Sequence, residues 1–281
     1  MKVGVSLAGG GIRGIAHVGV LKALEENNIK VAAIAGTSAG SIIATLYAMG
    51  YSPYYIYLLF KRYARDIINI RSKPIINGIT NFIRNNKIGI AGLSDGNEFE
   101  KMYDELARKK GFRLIGDIKM PLLVSAVDIG ESKEYIFTNC ASRKNIKDNY
   151  ITEIGIGRAV RASSSFPAIF CQYKNHIFMD GGVLNNLPTE ELKKVYTGKI
   201  ISVNFESDPV YNDYDIMNII MKTLDIMGNK LSINSLKKSD FVLTVPTDGT
   251  GLIDVDKMDI CYKYGYEIAI KNIDKIMKML E

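Results

Sequence analysis

Apolar runs separated by glycine turns divide the first fifty residues into alternating strands and helices. Lys2–Leu7 is a predicted buried strand, and a helix is predicted from about Ile15 to Asn27, where apolar residues recur at helical spacing. Val31–Ala35 is a second predicted strand, followed by a helix, SIIATLYAMG, that ends at Gly50. This alternation is typical of a parallel sheet with helices on its faces.

Later apolar segments extend the same sheet. Three further predicted strands are Pro121–Val127, Lys199–Phe205 and Asp240–Val245, while Glu98–Lys110 and Tyr262–Leu280 have the pattern of amphipathic helices. The chain contains no internal repeat, low-complexity tract or linker. We therefore predict a single three-layer α/β/α domain over residues 1–281, with a mainly parallel central sheet.

Composition places the chain among globular proteins. With 281 residues, 47% of them hydrophobic, it can bury a large core without disulfides or metals. Its cysteines, Cys140, Cys171 and Cys261, form no CxxC pair and favour a reducing compartment. Glycines interrupt the N-terminal apolar run too early for a signal peptide, and no run approaches the roughly 18 residues of a membrane span. We expect a cytoplasmic protein, with peripheral membrane contact left open.

The positive charge is concentrated in one segment. The net charge is +6, and Tyr51–Ser94 contains seven basic residues and one acidic residue, so the remainder of the chain is neutral. This segment begins YSPYYIYLLFKRYARD, and aromatic residues beside basic ones suit the surface of an anionic membrane. A core-facing helix with its cations in solvent explains the pattern equally well. No nucleic-acid-binding module accompanies the charge, so nucleic acid is not an expected partner.

The stretch GGGIRG, directly after the first strand, has the glycine spacing of a dinucleotide-binding turn. That site also needs an acidic residue about 20 positions on, at the end of the next strand, to bind the ribose. Counting 20 positions from Gly14 reaches Ile34, and no acidic residue ends that strand. A P-loop is also absent because no Gly-Lys-Ser/Thr closes the turn. Both nucleotide-binding motifs are incomplete, and we expect no cofactor.

The second strand ends in GTSAG, residues 36–40, which is the GxSxG pattern between a strand and a helix. A serine on so sharp a turn presents its hydroxyl group clear of the backbone, and larger side chains at Gly36 and Gly40 would collide. The helix that follows directs its N-terminal N–H groups and positive dipole end toward this serine. The motif predicts Ser38 as a nucleophile.

Turns after neighbouring parallel strands lie side by side, which places the glycine loop next to Ser38. Attack of a serine on an ester creates an oxyanion, and losing one amide donor to it typically costs about 2.7–4 kcal/mol. Arg13 can add positive charge there or hold the loop by pairing with a carboxylate. Either motif alone occurs by chance, but together they favour a catalytic interpretation. The predicted oxyanion hole comprises Gly9, Gly10, Gly11, Arg13 and Ala39, with Gly14, Gly36 and Gly40 as structural glycines.

The residues alone leave the catalytic base open. Serine nucleophiles commonly use histidine, and this chain has two. His17 lies among apolar residues on the first helix, as structural histidines do. His176 precedes Asp180 by about 13 Å if the intervening strand is extended, too far to share a site with both Asp180 and Ser38. Asp180 itself stands before Gly181-Gly182, a sequence that on its own is usually an ordinary turn.

The ordered motifs GGGIRG, GTSAG and DGG resemble those of the patatin-like phospholipase family. The stretches HVGVLKALEE, PLLVSAVDIGESKEYIF, RAVRASSSFPAIF and MDGGVLNNLP are also similar to the family, most densely over residues 4–190, and no motif position departs. The resemblance implies a fold related to α/β hydrolases and a dyad of Ser38 with Asp180 as base, without histidine. The glycine loop would form the oxyanion hole, and Gly181 and Gly182 would be motif glycines. We expect the catalytic core in about residues 4–195, with 196–281 completing the sheet and its helical cover.

The resemblance also implies a function. It predicts a lipid acyl hydrolase of phospholipase A or lysophospholipase type, acting on phospholipid or lysophospholipid through an acyl-enzyme, without cofactor or metal. Two alternatives remain: a carboxylesterase or thioesterase for small acyl esters, and a non-catalytic lipid-binding protein on the same fold. Asp208, Asp213 and Asp215 lie in a polar loop and are expected at the solvated surface.

Overall fold

The computed structural model describes residues 1–64, 97–140, 148–165, 171–206 and 216–281. The strands in these residues are β1 (Lys2–Leu7), β2 (Lys30–Thr37), β3 (Leu122–Asp128), β4 (Lys133–Thr138), β5 (Tyr150–Ile151), β6 (Cys171–Tyr173), β7 (His176–Asp180), β8 (Ile200–Phe205) and β9 (Phe241–Val245). The helices are α1 (Ile15–Glu26), α2 (Ala39–Ala48), α3 (53–64), α4 (Asn97–Lys109), α5 (Ile156–Ser163), α6 (Thr189–Val195), α7 (Ile216–Lys237), α8 (Met258–Lys271) and α9 (Ile273–Leu280). Short 3-10 turns include Gly11–Gly14 and Gly181–Val183.

The strands form one mixed sheet with a parallel block at its centre. The strand order is β5-β4-β3-β2-β1-β8-β9. In this order, the neighbouring pairs β3–β2, β2–β1, β1–β8 and β8–β9 are all parallel. β4 and β7 are both antiparallel to β3. For β4 this follows from the short connection 129–132, which returns the chain directly beside β3. Helices pack on both faces of the sheet. The predicted α/β architecture with a mainly parallel sheet is confirmed.

Helix α1 fixes the strands that carry the site. It is buried on its outer side as well as its inner side, because α8 packs across it. Gly265 makes this packing possible, since a Cβ at this position would collide with the backbone carbonyl group of Ala16. On the other face of the sheet, α6 packs against β2. The inner strands are therefore covered on both faces, and the loops at their carboxyl ends start from a packed sheet.

The predicted elements match the observed ones closely, with one clear exception. All the strands and helices predicted up to Val245 lie within two residues of the observed boundaries. The single helix predicted over Tyr262–Leu280 is wrong, because α8 begins earlier and ends at Lys271, and α9 begins at Ile273. The break falls at Asn272, whose side-chain amide donates to the carbonyl oxygen of Ile268. This bond competes with the helical backbone pattern.

The basic segment Tyr51–Ser94 is described only up to Ala64, and the remainder lies outside the described residues. In α3 the core-facing interpretation holds for one face, which buries Ile56, Phe60 and Ala64 at helical spacing. Lys61 is engaged within the protein, with Nζ 2.6 Å from a carboxylate oxygen of Asp259. The opposite face exposes Tyr54, Tyr55 and Leu58.

Three further features considered in the sequence are membrane-spanning segments, cysteines and a group of acidic residues. None of the described helices has both the length and the apolar character that crossing a membrane requires. All three cysteines are buried. The acidic residues Asp208, Asp213 and Asp215 lie outside the described residues, so their predicted surface position stays a prediction.

Candidate active site

Ser38 occupies a sharp turn between β2 and α2. Its backbone has φ 53° and ψ −124°, a conformation that costs energy for a residue with a side chain and that recurs at nucleophile turns. The amide of Ser38 donates to Oγ of Ser163 at 3.1 Å, and its carbonyl oxygen accepts from Oγ of Ser41 at 2.7 Å. The serine is partly exposed and lines a pocket of about 130 Å³.

The glycines around Ser38 let four backbone segments meet at contact distance. A Cβ at Gly36 would collide with the backbone of Gly40, and a Cβ at Gly40 would collide with the carbonyl oxygen of Leu7. A Cβ at Gly14 would lie 2.6 Å from the Cβ of Ala39. Side chains at these positions would push the glycine loop and α2 apart, so the pocket depends on all three glycines.

Asp180 reaches the same pocket from the opposite direction. Strand β4 pairs along one edge of β3, while β2 and β7 share the other edge and run toward each other. Thr37, the last residue of β2, pairs with Ser125, and Asp180, the last residue of β7, pairs with Ala126. Because Ser125 and Ala126 are consecutive, the carboxyl ends of β2 and β7 meet. The structure thus brings together the predicted nucleophile and the predicted base, 142 residues apart in sequence (180 − 38), at one pocket.

The carboxylate of Asp180 is buried and oriented by the glycines that follow it. Oδ1 accepts a hydrogen bond from the amide of Gly182 at 2.8 Å, and the backbone amide of Asp180 donates to the carbonyl oxygen of Ser165 at 3.0 Å. Gly181 lies against β3, where a Cβ would be 2.8 Å from Oγ of Ser125. Asp180 is only 5% exposed. The DGG sequence therefore holds a buried carboxylate at the pocket instead of forming a solvent-exposed turn.

Asn185 ties this aspartate turn to the nucleophile strand, a role that the sequence reasoning missed. Its carbonyl oxygen accepts from Oγ1 of Thr37 at 2.8 Å, and its side-chain amide donates to Oε1 of Glu134 at 2.8 Å. Glu134 also accepts from Oγ of Ser125, and burial raises the pKa of its carboxyl group. Asn185 is visible in the sequence as the first asparagine of MDGGVLNNLP, but no neighbouring residue indicates which groups it would bond.

The glycine loop offers fewer amide donors than predicted. The amide of Gly9 is already bonded to the carbonyl oxygen of Asn186 at 3.0 Å, so it is not available to an oxyanion. The amides of Gly10, Gly11 and Ala39 donate to no acceptor in the described part of the chain. Gly11 has φ 57°, and a Cβ there would collide with the carbonyl oxygen of Leu252. Among the residues that the structure describes, three unpaired amides therefore remain beside Ser38.

Arg13 holds the loop instead of pointing at the pocket as a free charge. Its Nη2 lies 2.5 Å from Oδ1 of Asp225, and its Nε donates to the carbonyl oxygen of Gly10 at 3.3 Å. Of the two roles left open for Arg13, pairing with a carboxylate is the one observed. Asp225 belongs to α7, and no sequence motif marks it.

Both histidines lie away from the pocket. Nε2 of His17 donates to the carbonyl oxygen of Ala8 at 2.8 Å, which makes it a structural residue below the glycine loop. His176 sits at the far end of β7, with Nδ1 2.9 Å from Oδ2 of Asp128. Neither residue lines the pocket. In the described residues no group of three metal-ligating side chains could hold a metal ion.

Burial of His17 should make the stability of the protein depend on pH. Desolvation lowers the pKa of its imidazole from 6.5 to about 4. Between these values the unfolded chain binds a proton that the folded chain does not, so stability falls as pH falls from 6.5 toward 4. We expect the wild type to lose about 2 kcal/mol of unfolding free energy between pH 7 and pH 5 relative to His17→Gln, which can still donate to Ala8.

Urea unfolding of both proteins at the two pH values measures this difference. All other titrating groups are common to the two proteins and cancel in the comparison. Equal pH dependence in the wild type and His17→Gln would mean that His17 is not held neutral by burial.

Comparisons with known proteins show what this chain is similar to. The family model for patatin-like phospholipase matches residues 5–193. Lysophospholipase NTE1 of Meyerozyma guilliermondii is 27% identical over 297 residues, covering 95% of this chain but 19% of that protein. The uncharacterized protein YqhO of Bacillus subtilis is 28% identical over 236 residues, covering 77% of this chain and 78% of that protein. The chain thus spans about a fifth of the lysophospholipase relative.

A solved structure supports the fold. A chain of the heterodimeric ExoU–SpcU complex from the type III secretion system of Pseudomonas aeruginosa superposes with a TM-score of 0.53. The identity is 20%, and the alignment covers 99% of this chain and 52% of the other. At this identity the likeness bears on the fold alone.

Proposed function

This chain belongs to the patatin-like phospholipase family, and from that premise we propose that it is a lipid acyl hydrolase with a Ser38–Asp180 dyad. Its substrates are phospholipids or lysophospholipids, whose carboxylic ester bonds it cleaves. The observation that carries the proposal is the meeting of these two residues at one pocket, beside three amides that have no acceptor within the described ranges of the chain. The lysophospholipase name of the relatives supports the substrate class.

In the proposed reaction, Oγ of Ser38 attacks the ester carbonyl carbon while Asp180 accepts the hydroxyl proton. The carbonyl oxygen becomes an oxyanion that accepts hydrogen bonds from the amides of Gly10, Gly11 and Ala39. The bond to the leaving alcohol then breaks, and that alcohol takes the proton from Asp180. Water then attacks the acyl-enzyme carbonyl carbon and loses a proton to Asp180. The bond from that carbon to Oγ of Ser38 breaks, Oγ takes the proton back from Asp180, and the fatty acid is released.

The dyad needs no histidine in this arrangement. Asp180 is oriented by Gly182, so its carboxylate does not depend on a third group for direction. Both histidines are engaged elsewhere, His17 by a backbone carbonyl and His176 by Asp128. Asp180 is then a buried carboxylate that lines the same pocket as Ser38 and needs no histidine partner.

The walls of the pocket suit an acyl chain. Apolar side chains on three separate segments line it: Val183, Leu224, Leu252 and Ile253. The polar groups come from the glycine loop, the dyad, the Arg13–Asp225 pair, Ser164 and Asn186. Such a division fits a substrate with an apolar chain and one reactive ester better than a small polar ester.

We propose that contact with the membrane surface is made by the exposed side of α3. Tyr54, Tyr55 and Leu58 are 68%, 39% and 45% exposed, which suits the interface between lipid and water. Lys61 is already paired with Asp259, so the electrostatic contribution from the described part of this segment is smaller than the sequence suggested.

Hydrolysis of lysophospholipid and of short-chain nitrophenyl esters by the purified protein tests the proposed function. We expect kcat/KM to rise with acyl-chain length and a fluorophosphonate probe to label Ser38. A short-chain optimum would favour the general esterase, and absence of both hydrolysis and labelling would favour the lipid-binding protein. Co-sedimentation with anionic vesicles completes the test, since a double Tyr54→Ser, Leu58→Ser variant should bind less than the wild type while hydrolysing short esters normally.

A further inference from the structure

A buried ion pair joins the glycine loop to helix α7. The side chains of Arg13 and Asp225 are 4% and 10% exposed, and both line the pocket. A second contact, from Nη1 of Arg13 to Oδ2 of Asp225 at 3.4 Å, makes the pair bidentate. Asp225 lies beyond residues 5–193, the range matched by the family model.

The position of Arg13 determines the direction of one amide in the loop. Its Nε donates to the carbonyl oxygen of Gly10. That carbonyl group and the N–H of Gly11 belong to the same peptide unit, which is trans, so they point in opposite directions. Holding the carbonyl group toward Arg13 therefore turns the amide of Gly11 away from Arg13, and this amide is one of the unpaired donors beside Ser38.

The glycine loop needs a hydrogen bond of this kind because glycine residues limit the backbone conformation very little. Residues 9–11 have no side chains, and glycine peptides rotate among many conformations at small cost. On one side the loop is fixed by the bond from Gly9 to Asn186, and on the other by the bond from Ile12 to Leu252. The peptide between Gly10 and Gly11 lies between these two anchors, and Arg13 contacts it directly.

Arg13 in turn depends on Asp225. Its guanidinium group lies 5.2 Å from the ring centroid of Phe205, which fixes one face of the group without using its hydrogen-bond donors. The carboxylate of Asp225 accepts from both terminal nitrogens, and this leaves Nε directed at Gly10. A planar guanidinium group held at two points has little freedom to turn.

We propose that Asp225 is a positioning residue for the oxyanion hole, acting through Arg13 to hold the Gly11 amide in its donating direction. This inference rests on the proposed hydrolase function. Asp225 takes part in no bond-making step. From α7, outside the matched family region, it would stabilise the transition state by preorganising a donor that the glycine loop alone leaves unrestrained.

Asp225→Asn tests the proposal, because the amide keeps the shape and removes the charge. Since losing a whole donor costs 10²–10³ in kcat, misdirecting one should lower kcat by about 10–100-fold with KM changed less than about twofold. Affinity for a lipid trifluoromethyl ketone, which forms a tetrahedral adduct with serine, should fall by the same factor as kcat. Affinity for an unreactive ether analogue of the lysophospholipid should stay unchanged.

Two further variants separate positioning from simple stability. Asp225→Glu keeps the charge on a longer side chain and should retain the fold with an intermediate kcat, which also covers the case in which Asp225→Asn does not fold. Asp240→Asn removes a half-buried carboxylate that pairs with Lys193 and Lys199 away from the pocket, and it should leave kcat and ketone affinity unchanged.

The outcomes distinguish this inference from the proposed function. A wild-type protein that neither hydrolyses lysophospholipid nor binds the ketone would contradict the proposed function itself. A wild type that does both, with folded Asp225 variants that match Asp240→Asn, would overturn the positioning role alone. Parallel losses in kcat and ketone affinity, with ether-analogue binding intact, would support it.

Discussion

Ser38→Ala is expected to remove ester hydrolysis almost completely, with kcat reduced by about 10⁵–10⁶-fold, the loss found when a serine nucleophile is deleted. No covalent acyl-enzyme can form without Oγ, and the oxyanion donors then act only on the much slower attack of water. The measurement is lysophospholipid hydrolysis together with mass spectrometry of fluorophosphonate labelling. The variant should fold normally, because the turn is held by the backbone of Ser38 through Ser163 and Ser41.

Ser6→Ala is the matched control for this substitution. Ser6 is fully buried on β1, and its Oγ has no hydrogen-bond partner in the described residues. Its removal should leave both hydrolysis and labelling intact. Substantial hydrolysis by Ser38→Ala, or persistent labelling of that variant, would assign the nucleophile to another residue.

Asp180→Asn is the second large effect, with an expected fall in kcat of about 10⁴-fold, the upper end of what a positioned general base contributes. The amide cannot accept the proton of Ser38, although its Oδ1 can still accept the hydrogen bond from Gly182. The turn should therefore keep its geometry, and thermal unfolding should show a melting temperature close to that of the wild type. Hydrolysis rates and near-UV circular dichroism are the measurements.

The controls for Asp180→Asn use a histidine–carboxylate pair away from the pocket. His176 and Asp128 form a histidine–carboxylate pair that resembles part of a serine-hydrolase triad but lies at the far end of β7. His176→Asn and Asp128→Asn should each leave kcat within about threefold of the wild type, since neither side chain reaches the pocket. If either substitution were as damaging as Asp180→Asn, the histidine-free dyad would be wrong.

The two large effects should not add. Residues that act as one unit lose their function together, so Ser38→Ala with Asp180→Asn should resemble Ser38→Ala alone. The effect of Asp225→Asn should be smaller than either, because it misdirects one donor and removes no reacting group.

Much of the site could be predicted from the sequence because its signals are local. Ser38 is marked by two glycines whose close contact with backbone leaves no room for a side chain, a restriction that any chain making this turn must meet. The inner strands β1 and β2 are continuous apolar runs, as strands buried on both faces must be. Asp180 needed the family resemblance, because an Asp-Gly pair alone is compatible with any turn.

The remaining features are decided by packing between segments that are distant in the chain. Whether the Gly9 amide is available depends on Asn186, and the direction of Arg13 depends on Asp225, which is 212 residues away. Asn185 acts through Thr37 and Glu134, on two other strands. A hydrogen bond between such segments leaves no periodicity or spacing in the sequence, since it forms only once the sheet has brought them together. The sequence by itself therefore determined the inner strands and helices and marked Ser38 and Asp180 as the candidate reacting groups. The tertiary structure alone decided which amides stay unpaired within the described residues and what holds them in place.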